Sequence, residues 1–183
     1  MKAHMAVGVG TAGVESVSRY LSFAVANEIF GINILSVKEI IEYGEVKATH
    51  IPRLPPMIRG AINLRGKAVP IVDLALRLEF SAVEITRRSC IVIVELNLQG
   101  NRLEMGIVVD AVQQVISLTE HDIEPPPTFG GEIRADFIAG MAKMDKSFMI
   151  ILDITRVLSL ADVEVLHLVE RQDLTNMMSA NIA

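Results

Sequence analysis

Apolar positions along this chain come in short runs, broken at close intervals by Gly, Asn, Asp or Pro. Residues 20–25 (YLSFAV) read as a first strand, which Asn27-Glu28 turns into residues 29–34. A short helical kink at 33–36 precedes a further extended stretch, 37–42. Over 34–41 the apolar spacing suits a helix as well as a strand, and both readings stand. Residues 46–51 form a strand leading into the proline segment 52–56. Residues 61–65 and 68–72 make a hairpin around Gly66-Lys67, where glycine accepts a positive φ without steric cost. This places Arg65 at the hairpin tip, where a charge is easily displayed. Asp73 then ends the apolar run and caps a helical turn over 74–78, its carboxylate accepting from free backbone N–H groups. Residues 89–98 (SCIVIVELNL) are the clearest strand, and Gln99-Gly100-Asn101 turns them into 102–110. Residues 112–118 follow, then a loop at 125–131. Segments 137–143 and 147–152 pair around Asp145-Lys146, and Asp153 opens a last helical region. Residues 161–173 have an amphipathic helical pattern, with Leu166, Val169 and Leu174 as packing positions.

The pattern occurs twice. Gly60 precedes Asp73 by 13 residues, and Gly140 precedes Asp153 by the same interval. Ile71-Val72-Asp73-Leu74 matches Ile151-Leu152-Asp153-Ile154. Upstream, Phe30-Gly31-Ile32 is followed by Ile34, Val37, Ile40 and Ile41. Met105-Gly106-Ile107 is followed by Val109, Val112, Val115 and Ile116 at the same offsets. One shared order of glycine, apolar ladder, proline segment, glycine and aspartate indicates two homologous halves. Short strands, turns about every eight to twelve residues and little helix point to small β-barrels. Hairpins this short are unstable alone, so each half should lean on the other.

Composition narrows the function. At 183 residues the chain suits one domain or two subdomains with a shared core. It is 51% hydrophobic but only 4% aromatic, without Trp, so the interior must be aliphatic. A net charge of −5, with no basic run, argues against a general nucleic-acid binder. No stretch reaches the roughly 18–20 apolar residues of a membrane-spanning helix, and none is expected to insert. Residues 1–18 are small and polar and read as a flexible tail, not a signal peptide. A single cysteine, Cys90, forms no internal disulfide and is expected as a small core residue. A cytoplasmic protein is expected.

Candidate chemistry is sparse. Histidines 4, 50, 121 and 167 lack partners at ligand spacing, so neither metal nor other cofactor is expected. The duplicated Asp73 and Asp153 admit two readings. They are helix caps, or they are two carboxylates sharing a proton as in an aspartic-protease dyad. The residues after each continue into apolar turns, which favours capping. Val37 and Ile40, flanking Glu39, with Arg65 on a nearby hairpin, have the makings of a protein-recognition patch: aliphatic anchors and a charge to fix register. The competing reading makes Val37 and Ile40 core residues and Arg65 a solvated turn residue.

Tyr20-Leu21-Ser22-Phe23, Phe30-Gly31-Ile32-Asn33-Ile34, Val37-Lys38-Glu39-Ile40, Asn63-Leu64-Arg65-Gly66, Pro70-Ile71-Val72-Asp73-Leu74 and Gly106-Ile107-Val108-Val109-Asp110 together resemble the CheW family of chemotaxis coupling proteins. The resemblance covers about residues 19–160. It implies an all-β fold with minor helix: two intertwined five-stranded SH3-like barrels, at about 30–80 and 105–160 with flanking strands exchanged, and a short C-terminal helix and tail at 161–183. It implies a non-catalytic adaptor that joins the cytoplasmic tips of methyl-accepting chemoreceptors to the histidine kinase CheA, whose regulatory domain shares this fold. By that resemblance Val37, Glu39, Ile40, Gly60 and Arg65 fall at receptor- and kinase-contacting positions. Gly106, Val112 and Val115 border the groove between barrels. The receiver domain of the related coupler CheV is not expected, which leaves no phosphoacceptor aspartate.

Overall fold

The computed structural model describes residues 13–128 and 133–158. Eleven strands and two one-turn helices alternate in two series. The first comprises β1 (Val17–Val25), β2 (Glu28–Asn33), β3 (Val37–Glu42), β4 (Ile58–Leu64), β5 (Lys67–Asp73) and α1 (Leu74–Arg77). The second comprises β6 (Cys90–Leu98), β7 (Asn101–Val109), β8 (Ala111–Thr119), β9 (Ile123–Glu124), β10 (Ile138–Lys143), β11 (Phe148–Leu152) and α2 (Ile154–Val157). They form two sheets, β8-β1-β2-β11-β10-β9 and β3-β6-β7-β5-β4.

The two series are copies, and they exchange strands. Each sheet takes the first two strands of one copy and the later strands of the other. The joints are parallel pairings at matched places: Ile71 lies opposite Gly106, and Ile151 opposite Gly31. A side chain at Gly106 would collide with Ile91 and Ile71, at 2.7 and 2.8 Å, so only glycine lets the strands approach there. Other details recur. Hairpin β4–β5 carries a bulge between Ile58 and Gly60, and β10–β11 has one between Ile138 and Gly140. The bridge between Thr49 and Ala61 is the counterpart of the β9–β10 pairing of Glu124 with Met141. The expected class, all-β in two intertwined SH3-like units of five main strands, is the fold observed.

One aliphatic core runs through both sheets, from Leu21, Phe23 and Phe30 to Ile71, Val92 and Ile107. Phe23 and Phe30 stack with ring centres 6.4 Å apart. A smaller cluster around Leu118, Ala142, Met149 and Ile151 fills the second unit. Burying a side chain of this size contributes about 1.5–3 kcal/mol.

Some sequence expectations need correction. Three hairpin turns lie one residue earlier than expected, at Ala26-Asn27, Arg65-Gly66 and Gln99-Gly100. Both central residues of each have positive φ, the type I′ geometry whose twist matches that of the strands. That turn puts glycine second, so Arg65 itself adopts φ 52°. Residues 46–51 form no strand beyond the single bridge at Thr49. Cys90 is half-buried at the start of β6 rather than enclosed. β1 begins at Val17, just inside the stretch read as a tail. The amphipathic segment 161–173 lies outside the described residues.

Candidate functional site

The ambiguous spacing over 34–41 has a structural cause. Ile34–Ser36 make a single 3₁₀ turn, capped by Asn33, whose Oδ1 accepts from the Leu35 N–H at 2.9 Å. β3 follows with a bulge at Lys38: Val37 pairs with Val94, Glu39 with Ile93 and Ile40 with Val92. The extra residue puts Val37 and Ile40, three apart, on one face, an interval that mimics a helix. β8 repeats the device. Val112 pairs with Phe23, Gln114 with Ser22 and Val115 with Leu21, so Val112 and Val115 share a face. Each aliphatic pair therefore sits on an edge strand beside buried residues of the shared core. Val37 and Val112 are half-buried, whereas Ile40 and Val115 remain 44% and 49% exposed. Both readings of Val37 and Ile40 are thus partly right: the first packs on the core and the second is displayed.

Arg65 reaches this edge from the far side of its sheet. β3 and β4 stand at opposite ends of the strand order, yet Arg65, at the tip of β4–β5, meets Glu39 of β3 at 2.9 Å. Edges that distant in the order come together only in a sheet curled into a barrel. Arg65 is 75% exposed, so the ion pair contributes little stability but fixes where the two charges stand. Lys38, on the bulge, bonds Glu104 at 2.5 Å and Glu95 at 3.1 Å. Those two glutamates lie directly opposite on β6 and β7, and the ammonium relieves their repulsion. Hydrogen bonding to Lys38 holds the Glu104 carboxyl below its ordinary value, and Glu104 in turn raises the Lys38 ammonium. The result is a paired charged strip beside an aliphatic edge. Leu35, 90% exposed at its margin, is the largest apolar side chain presented there.

Gly60 and Gly106 sit in the interior. Gly60 has φ 137°, and a Cβ on it would lie 2.2 Å from the Thr49 carbonyl oxygen. Its effect on the patch is to seat β4 against the 49–50 backbone. Gly106 is enclosed at the joint between copies.

The two aspartates act as caps. Asp73 accepts from the Leu76 N–H at 3.1 Å, and Asp153 from the Arg156 N–H at 3.2 Å. Asp73 is also fully buried. It accepts from Arg59 Nε at 2.9 Å and Nη2 at 2.7 Å, and from the Val83 N–H at 3.0 Å. Arg59 donates onward to the Val83 carbonyl, so the pair pins the 79–89 linker to α1. Asp153 is 37% exposed and keeps only a 3.5 Å contact with Arg156 beside its cap. Among the described residues no group of His, Cys, Asp or Glu is arranged to hold a metal ion. His121 makes an exposed contact with Glu15 at 3.3 Å. A wide cleft of about 1010 Å³ opens where Ala26, Asn27, Asp110, Gln113 and the 80–88 loop meet. No helix of the described residues is long and apolar enough to cross a membrane.

Sequence reasoning found Val37, Glu39, Ile40 and Arg65 as a group but missed Lys38, Glu95 and Glu104, which only strand pairing brings together. It also missed Arg59, whose neighbour Gly60 was the marked residue. Leu35 was hidden in a run that looked continuously apolar.

Comparison with known proteins gives a consistent picture. Residues 19–162 match the family model described as CheW-like domain. "Chemotaxis protein CheW" of Klebsiella aerogenes is 39% identical over 140 residues, covering 76% of this chain and 81% of that protein. The protein of the same name from Treponema pallidum is 32% identical over 141 residues, with coverages of 76% and 81%. Among solved structures, the scaffolding protein TtCheW from Thermoanaerobacter tengcongensis is similar with a TM-score of 0.69 and 35% identity. That likeness covers 79% of this chain and 94% of that one.

Proposed function

This chain belongs to the CheW-like domain family, and from that premise we infer that it is a chemotaxis adaptor with no reaction of its own. We propose that it couples the cytoplasmic tips of transmembrane chemoreceptors to the histidine kinase CheA, with residues 19–160 as the adaptor unit. Residues 1–18 and 161–183 flank that unit.

The observation that carries this reading is the convergence of Val37, Glu39, Ile40 and Arg65. Two strands from opposite ends of one sheet bring them together. Aliphatic anchors set beside a fixed charge pair recognise protein partners by burying the former and aligning on the latter. Val112 and Val115 present a second, uncharged version on the other unit. Two related surfaces on one rigid body give an adaptor what it needs, which is to hold two partners at a set geometry. Each contact then shifts its partner between states by differential affinity. Gly60 and Gly106 serve that geometry from inside. The cytoplasmic face of the membrane is the place such partners require.

Charge exchange tests the reading. Arg65→Glu should weaken co-purification with CheA or receptor fragments by about tenfold, as expected for loss of roughly 1.4 kcal/mol at an interface, while circular dichroism stays unchanged. Adding Glu39→Arg restores the ion pair in reverse. Recovery of binding would show that the pair acts by holding the edge, and continued loss that each charge meets a partner. Undiminished binding of the single variant to both partners would refute the patch.

A further inference from the structure

The barrel edges are protected unequally. β3 has six residues, carries Lys38, Glu39 and Glu42, and is strapped by the Arg65 ion pair. β4 is partnered beyond its sheet by Thr49. β9 has two residues and is followed at once by prolines 125–127. β8 has none of these defences. It is nine residues long, AVQQVISLT, without a charge or a proline. Gln113, Gln114, Val115 and Ser117 are exposed. Its backbone bonds β1 on one side, and on the other it makes no backbone bond to any described residue. The positions matching Glu39 and Arg65 hold Gln114 and Asp145, and no ion pair closes over this strand.

A long, flat, neutral edge with open N–H and C=O groups is a template for another strand. We propose that β8 pairs antiparallel with β8 of a second copy of this chain, forming a two-fold symmetric dimer. This inference stands apart from the adaptor reading. The same strand is the occupant its own chemistry admits: with no charge there is no self-repulsion, and an antiparallel pair of identical strands satisfies the symmetry of an isologous interface. The register that pairs every residue is centred on Val115. It sets Val115 against Val115, a β-branched cross-strand pair, Gln114 against Ile116, and Gln113 against Ser117. One strand pair buries less than the roughly 1,000 Å² of a stable interface, so the dimer is weak and depends on concentration.

The test uses the full chain in a Cys90→Ser background, with Val115→Cys as the probe. Opposed Cα atoms in an antiparallel pair lie about 4.5–5.5 Å apart, inside the span a disulfide accepts, about 4.4–6.8 Å. Mild oxidation should give a covalent dimer from Val115→Cys and none from Gln113→Cys, which faces Ser117. Sedimentation of the wild type should show a dimer that grows with concentration, and Val115→Lys should abolish it with an unchanged circular dichroism spectrum. A wild type that stays monomeric at every concentration overturns the proposal. So does a dimer that Val115→Lys leaves intact, or cross-linking as fast through Gln113→Cys.

Discussion

Two aspartates stand at the same place in two copies of one hairpin, and they have different surroundings. Asp73 is buried, capping α1 while holding Arg59 and the Val83 N–H. Asp153 caps α2 and is otherwise left to solvent. The difference traces to one neighbour: Arg59 precedes Gly60, whereas Ala139 precedes Gly140. The same contrast runs along the edges, where Glu39 and Arg65 of the first unit become Gln114 and Asp145 in the second. Duplication kept what the backbone demands, namely bulge, glycine and cap. It let the side chains that reach outward diverge. Features shared by both copies are therefore scaffold, and features of one copy are where function and regulation reside.

Three experiments press on that contrast. The largest effect should come from Asp73→Ala, which strands a half-buried guanidinium and two backbone donors. A loss of about 3–5 kcal/mol is expected, against about 1 kcal/mol for Asp153→Ala, which removes a cap alone. Denaturant midpoints of the two variants measure the gap, and equal losses would mean the buried pair adds nothing to the cap. Next, Gly60→Ala must adopt a strained φ and meet the Thr49 backbone, at a cost of at least about 1–3 kcal/mol. Gly140→Ala meets first a methyl of Ile123, which can shift, and should cost less. Thermal melting of both variants tests the ranking.

The smallest effect concerns acid. Because Lys38 lowers the Glu104 carboxyl in the folded protein, the unfolded chain binds that proton more readily. The contribution is complete above the ordinary glutamate range and disappears as pH falls through the lowered folded value. Lys38→Met should flatten the stability profile over that acid window and leave the neutral plateau nearly unchanged. An unaltered acid slope would show that the Lys38 contact is too well solvated to matter.

Much of this was legible in the chain. The recurrence of glycine and aspartate at one interval marked the duplication, because bulges and caps admit few residues. Asp73 and Asp153 were readable as caps because a carboxylate before an apolar turn has few other uses. The bulges were not legible. An i, i+3 aliphatic interval carries the same signal in a bulged strand and in a helix, and strand register alone separates them. Turn positions slipped by a residue for a similar reason: Ala26, Arg65 and Gln99 take left-handed φ against their own preference because the twist of the paired strands imposes it. Partners separated widely in sequence, such as Lys38 with Glu104 or Arg59 with Val83, had no local signature.

The exchanged strands carry a consequence about origins. A lone copy of either series would leave its second strand without the parallel neighbour that Ile71 or Ile151 now provides. Two separate copies could supply that neighbour to each other, so the present molecule has the form of a swapped dimer fused into one polypeptide. What was once contact between equals became internal, and freed of the need to match, each half could acquire a surface of its own.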